Sequence, residues 1–129
     1  MDRAGSVAPD ADTAGVAGCA ISEQWTDRLA VISVSGVLDM LTAPRLSAAI
    51  TASLSGNPSA IIVDLSDTDF LASAGMSALV AGREEAGAAV EFRVVADGPA
   101  TSRPLKMVGL ADLIGLHPTR DAVRATLSA

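Results

Sequence analysis

A chain of 129 residues, half of them hydrophobic, is long enough to bury one real core, and its length suits a single domain. A formal net charge of −6 leaves no basic field for phosphate backbones or an anionic membrane face, and aromatic residues, at 2%, are too few for the stacking platforms of single-stranded nucleic-acid binders. Cys19 is alone and so forms no internal disulfide, and no Cys/His cluster of metal-ligand spacing surrounds His117; a reducing cytoplasm is the expected compartment, with no metal or other cofactor.

Residues 1–18, "MDRAGSVAPDADTAGVAG", lack apolar periodicity and read as a flexible tail ahead of one domain over 19–129. No positively charged segment precedes a compact apolar stretch there, so no secretory signal is read. Around Cys19 to Trp25 and again over Leu29 to Ser35, β-branched residues recur on either side of a polar "TDR", which predicts two strands joined as a hairpin. "DMLTAPRLSAAITASLSG" then switches to helical spacing, with Leu46, Ile50 and Leu54 on one face, Thr42 as N-cap, Pro44 in the first turn and Gly56 as a stop.

"AIIVDL" (60–65) is a continuous apolar run of strand length, as expected of a central strand covered on both faces. A helix is predicted from Ser73, burying Met76, Leu79 and Val80, with small residues between them and Gly82 and Gly87 loosening its end. The run "FLASAGMSALVAG" is fenced by Asp69 and Arg83 and is shorter than the roughly 20 residues of a membrane span. A strand over 90–96, a short helix over 103–108 capped by Ser102, a strand near 113–116 and a helix over 119–127 follow, with His117 in the loop between the last two. The expected fold is therefore α/β, a small mixed sheet with flanking helices in the order ββαβαβαβα, the helices on one face or alternating.

The least ordinary stretch is "DLSDTDFLASAGMSALVAG" (64–82), where three aspartates precede a serine at a helix start. Ser73 could cap the helix, a role worth about 1 kcal/mol. A hydrolase nucleophile would want glycines two residues to either side, whereas Leu71 and Gly75 stand there, and one histidine is a thin supply of bases. A phosphate-binding loop is disfavoured by the single glycine, the missing lysine and the aspartates. Covalent phosphorylation of Ser73 would add about −1.5 to −2 charge where the helix dipole tolerates it, altering recognition and sparing the fold. Capping and phosphorylation are compatible, and both stand at this point.

"GVLDMLTAPRL" (36–46), followed by "IIVDLSDTDFLASAGMSALV" (61–80), resembles the STAS domain of bacterial anti-sigma-factor antagonists. That family's usual pattern is Gly, an aliphatic residue and Asp, then Thr-Ala, then a hydrophobic strand running through Asp-Leu-Ser and Phe into Asp-Ser-Ser/Thr-Gly. The similarity extends over about residues 20–127. It implies a non-enzymatic, cytoplasmic interaction module whose unphosphorylated form binds an anti-sigma factor that is also a serine kinase, freeing a sigma factor, until the kinase phosphorylates Ser73. Partner contact would then involve Asp39 to Thr42, a loop over 67–72 carrying Asp67 and Asp69, and the helix start from Ser73 through Gly75 to Met76. No nucleic acid or membrane is implied, and self-association stays open. The chain departs from the pattern at Ala72, where the family usually has Asp, and at Ala74, where it usually has Ser or Thr. Ala72 favours a second reading, a STAS scaffold that is never phosphorylated and works within a signalling assembly; an anion or nucleotide sensor is a third.

Overall fold

In the computed structural model, which describes residues 18–127, the hairpin forms from β1 (Cys19–Thr26) and β2 (Leu29–Leu38), closed by Asp27 in the left-handed region at φ 55°. The alternation of β-branched residues puts Ala30, Ile32 and Val34 on one face of β2, all at 1% exposure or less. Then follow α1 (Ala43–Leu54), β3 (Ala60–Leu71), α2 (Ser73–Ala86), β4 (Glu91–Val95), α3 (Ser102–Met107), β5 (Leu116–His117) and α4 (Arg120–Arg124). The expected tail lies, but for Gly18, outside the described residues.

The five strands lie in sequence order, β1 antiparallel to β2 and every later pair parallel. Consecutive parallel strands that always step the same way require right-handed crossovers, which set the connecting helices on one face. Leu46 and Ile50 of α1, Ala78 and Leu79 of α2 and Leu105 of α3 accordingly share one core with Ile32, Val34, Ile61, Val63, Phe92 and Val94. The C-terminal helix covers part of the other face, where Val123 packs with Val31, Ile62 and Val95. The first half of β3, residues 60–65, is thus covered on both sides, and each fully buried aliphatic side chain contributes about 1.5–3 kcal/mol.

Several boundaries move from their expected places. β3 does not stop at Leu65: it runs on to Leu71, so the segment expected as a loop over 67–72 is strand through Leu71. β2 has 10 residues and β3 has 12, and the two extra are absorbed as bulges opposite Ser33/Ser35 and Gly36/Val37. Polar residues there mark a strand whose outer side faces water. The last strand is Leu116–His117 and not 113–116, because Ile114 turns into the core; His117 is a strand residue whose carbonyl accepts from the Ala96 N–H at 3.0 Å. Ser102 is the first residue of α3, its hydroxyl bonded to the N–H and carbonyl of Gly98, while Thr101 holds the cap position.

The buried stripe of α2 is Gly75, Ala78, Leu79, Gly82 and Ala86, with Met76 and Val80 only half-buried against the same core. Gly82 does not loosen the helix. It is a point of close approach of the helix to its neighbours: an added Cβ would lie 2.7 Å from Cδ1 of Ile50 and 3.3 Å from Cε2 of Phe92.

On the opposite face, Arg120 at the start of α4 donates through Nε to Asp64 of β3 and through a second nitrogen to the Ser33 hydroxyl at 3.1 Å. Burial pushes the Asp64 carboxyl up, but the Ser66 hydroxyl and N–H, together with Arg120, outweigh it and hold the group below the usual carboxylate range. This pair fastens α4 to the central strand.

Candidate functional site

The site is built where β2 and β3 end side by side. Their register pairs Val37 with Phe70 and Leu38 with Leu71, so the turn leaving β2 and the turn leaving β3 emerge as neighbours. A hydrogen bond from the Ala72 N–H to the Leu38 carbonyl, 2.9 Å, ties the two exits together.

After β2 the chain meets Asp39, a residue whose short carboxylate can close a turn on its own backbone. Its Oδ1 accepts from the N–H of Leu41 at 3.0 Å and of Thr42 at 3.2 Å, and its carbonyl accepts from Ala43 at 2.8 Å. Thr42 occupies the N-cap position of α1, but its hydroxyl makes no cap bond. It donates to the Val37 carbonyl at 2.9 Å and accepts from the Asp39 N–H at 2.8 Å. Thr42 therefore fastens the turn back onto the strand, and Asp39 satisfies the amides ahead of the helix. Behind this turn lies Cys19, whose thiol is pushed up by burial against the opposing pull of Arg45 and Thr42, a setting for a packing thiol and not a reactive one.

After β3 the chain turns at Ala72 and enters α2 at Ser73. Ala72 is the N-cap, in extended conformation, and has no oxygen with which to cap. Its carbonyl accepts from the N–H groups of Gly75 and Met76 at 2.9 and 3.1 Å. Ser73 is the first helical residue and not the cap; its hydroxyl is exposed, and the N–H groups of Ser73 and Ala74 have no acceptor among the described residues. An exposed hydroxyl thus stands at the positive end of a 14-residue helix with free amides beside it.

The remaining residues singled out from the sequence divide by burial. Asp67 and Asp69 are exposed on the outer part of β3, Asp69 being the residue left unpaired by the second bulge. Asp39 and Met76 are half-buried. Thr42 is 3% exposed and Gly75 is buried, so neither offers a side chain to a partner. Gly75 serves the fold: a Cβ there would lie 2.7 Å from Cδ1 of Leu71 and 2.9 Å from Cγ of Leu38, so only glycine lets the helix start sit on the two strand ends.

Three exposed residues fall inside the stretches expected to meet a partner without having been named individually: Met40 and Leu41 within 39–42, and Phe70 within 67–72. The available signal was a pair of large apolar residues inside a turn, "DMLT", where polar ones are usual. Among the described residues no group of His, Cys, Asp and Glu could hold a metal, and no helix is long and apolar enough to cross a membrane.

Comparison with known proteins agrees with this geometry. The family model described as Mlab, STAS domain, matches residues 21–116. The anti-sigma-F factor antagonist RsfB of Mycobacterium tuberculosis is 41% identical over 91 residues, which span 70% of this chain and 75% of the relative. The crystal structure of an anti-sigma factor antagonist from Mycobacterium paratuberculosis superposes with a TM-score of 0.80 at 40% identity, covering 84% of this chain and 93% of that one. The anti-sigma factor antagonist SpoIIAA in its unphosphorylated form shares the fold alone, with a TM-score of 0.65 at 19% identity over 84% of this chain and 99% of that one. A sheet in sequence order with its first hairpin antiparallel, a helix seated by glycine on two strand ends and the family-model match over most of the chain lead to one assignment: this chain belongs to the STAS-domain family of the anti-sigma-factor antagonists.

Proposed function

We propose that the chain is an anti-sigma-factor antagonist that docks, with Ser73 unmodified, on an anti-sigma factor that is also a serine kinase, and that phosphorylation of Ser73 ends the interaction. The observation that carries this reading is the exposed Ser73 hydroxyl in the first turn of α2, beside the tied exits of β2 and β3. A phosphate there would meet the free N–H groups of Ser73 and Ala74 and the positive end of the helix, so the fold bears the added charge. The partner bears it less well. Asp67 and Asp69 already make this end of β3 acidic, and a further dianion changes what any complementary surface must accommodate. Ala74 leaves Ser73 as the one hydroxyl between Leu71 and Met76, so a kinase has a single acceptor to choose there.

Binding of the serine-kinase anti-sigma factor, measured by titration calorimetry, tests the switch. Ser73→Ala should bind within about twofold of the wild type, and Ser73→Glu at least about tenfold more weakly, a difference of about 1.4 kcal/mol. Ser73→Glu binding as well as wild type would refute the switch. It would favour a constitutive STAS scaffold, to which Ala72, in place of the family's usual aspartate, is the one sequence feature that points.

A further inference from the structure

Three large apolar side chains stand in solvent at the same end of the sheet: Met40 and Leu41, each 76% exposed, and Phe70, 55% exposed. Their immediate neighbours Leu38 and Leu71 are 0% and 4% exposed, so the same two segments bury one set of apolar residues and display another. The display is held firmly. Every polar group of the Asp39 to Thr42 turn named above is satisfied within the turn or by the end of β2, which leaves Met40 and Leu41 on a backbone with little freedom to lose on binding. The Val37 to Phe70 register puts Phe70 at the same strand ends as this turn, and Ala72, bonded to Leu38, brings the start of α2, with Ser73, to the same end. Two exposed carboxylates, Asp67 and Asp69, precede Phe70 on the same strand.

We infer that Met40, Leu41 and Phe70 are the anchors by which the chain seats itself in an apolar cleft of its anti-sigma factor, a cleft edged by lysine or arginine opposite Asp67 and Asp69. The inference rests on the function proposed above and names what carries the affinity at that site. A few well-packed apolar anchors dominate the energetics of such interfaces, while rim charges set approach and salt dependence. It also gives the switch a physical cause: a dianion on Ser73 must shed its water against an apolar seat, and that loss exceeds what screened rim cations return. Asp39 becomes a positioning residue, shaping the turn that holds the anchors.

The probe is the purified anti-sigma-F factor that the mycobacterial relative RsfB antagonises by name, titrated with the full chain and its variants at low and high salt. Leu41→Ser combined with Phe70→Ser should weaken binding at least about 30-fold. Met107→Ser, a control on α3 with 75% exposure, should stay within about twofold. Asp67→Asn with Asp69→Asn should cost several-fold at low salt and little at high salt. Circular dichroism and melting of each variant check its folding, and Leu41→Met should bind like wild type. Full binding by the Leu41/Phe70 variant, while Ser73→Glu still binds at least about tenfold more weakly, would overturn the anchors and leave the proposed function standing. No binding by wild type, or equal binding by Ser73→Glu, would strike down that function and this inference with it. A wild-type dimer dispersed by Leu41→Ser would make the patch a self-association face and equally overturn the inference.

Discussion

Ser73 and Asp39 divide the work of the site, one offering a hydroxyl and the other shaping the backbone. Because Ser73 makes no cap bond, Ser73→Ala should change stability by less than about 0.5 kcal/mol, the range of surface substitutions that break no special contact. Asp39→Ala removes the acceptor for two amides ahead of α1 and should cost about 1 kcal/mol, seen as a melting point lower by a few degrees. A comparable loss in Ser73→Ala would mean that the serine caps after all. Asp64 supplies a pH signature. Its carboxyl is held below the ordinary range in the folded chain, so its contribution is complete above the unfolded carboxylate pKa near 3.9 and is lost as pH falls through the lower, folded value. Melting temperature should therefore fall on acidification below about pH 4, with a shallower fall in Asp64→Asn, whose starting stability is already reduced by about 1–3 kcal/mol through loss of the Arg120 and Ser66 bonds. Identical acid profiles for the two proteins would contradict the pairing.

Among the elements, α2 is the most informative, because its sequence looked like an ordinary small-residue helix and its packing is not ordinary. Glycine in a helix interior costs up to about 1 kcal/mol against alanine, so two buried glycines need a reason in their surroundings. At Gly75 the reason is firm: the methyl of an alanine would press on Cγ of Leu38, which cannot swing aside, and Gly75→Ala should destabilise by about 1–3 kcal/mol. At Gly82 the nearest atom is the terminal methyl of Ile50, which can rotate away, so Gly82→Ala should fall within about 1 kcal/mol of wild type. Chemical denaturation of the two variants checks the contrast, and a larger loss at Gly82 would reverse the assignment of which contact is rigid. β3 taught the opposite lesson. Its first half was legible as a strand because β2 and β4 flank it and both faces are covered, and Ile61, Ile62 and Val63 record that burial directly. Its second half was not, because β4 ends opposite Asp64 and the continuation pairs through two bulges, where polar side chains face water. A strand with a wet side and broken alternation carries the composition of a loop.

Taken whole, the molecule is a one-way sheet whose sequence order forces three helices to one face and leaves the last to cover the other. That order was readable from the alternation of apolar periods, since hairpin, helix and central strand each carry their own spacing. The division of helices between the faces was not, because it depends on crossover handedness and on the Arg120 to Asp64 pair, contacts between residues far apart in the chain. The site was half legible: Ser73 stood out by its place at a helix start and Met40 and Leu41 as apolar residues in a turn, yet the burial of Gly75 and the place of Phe70 follow from strand ends that meet only in the fold. What the register achieves is to bring two chain exits together, and the proposed function adds that Ser73, beside them, gains charge without disturbing the core beneath it. The direct test is the intact mass of the chain after incubation with the active serine-kinase anti-sigma factor and ATP. One added phosphate on the wild type and none on Ser73→Ala is the predicted result; an unchanged wild-type mass with a demonstrably active kinase, or a phosphate that persists in Ser73→Ala, would contradict it.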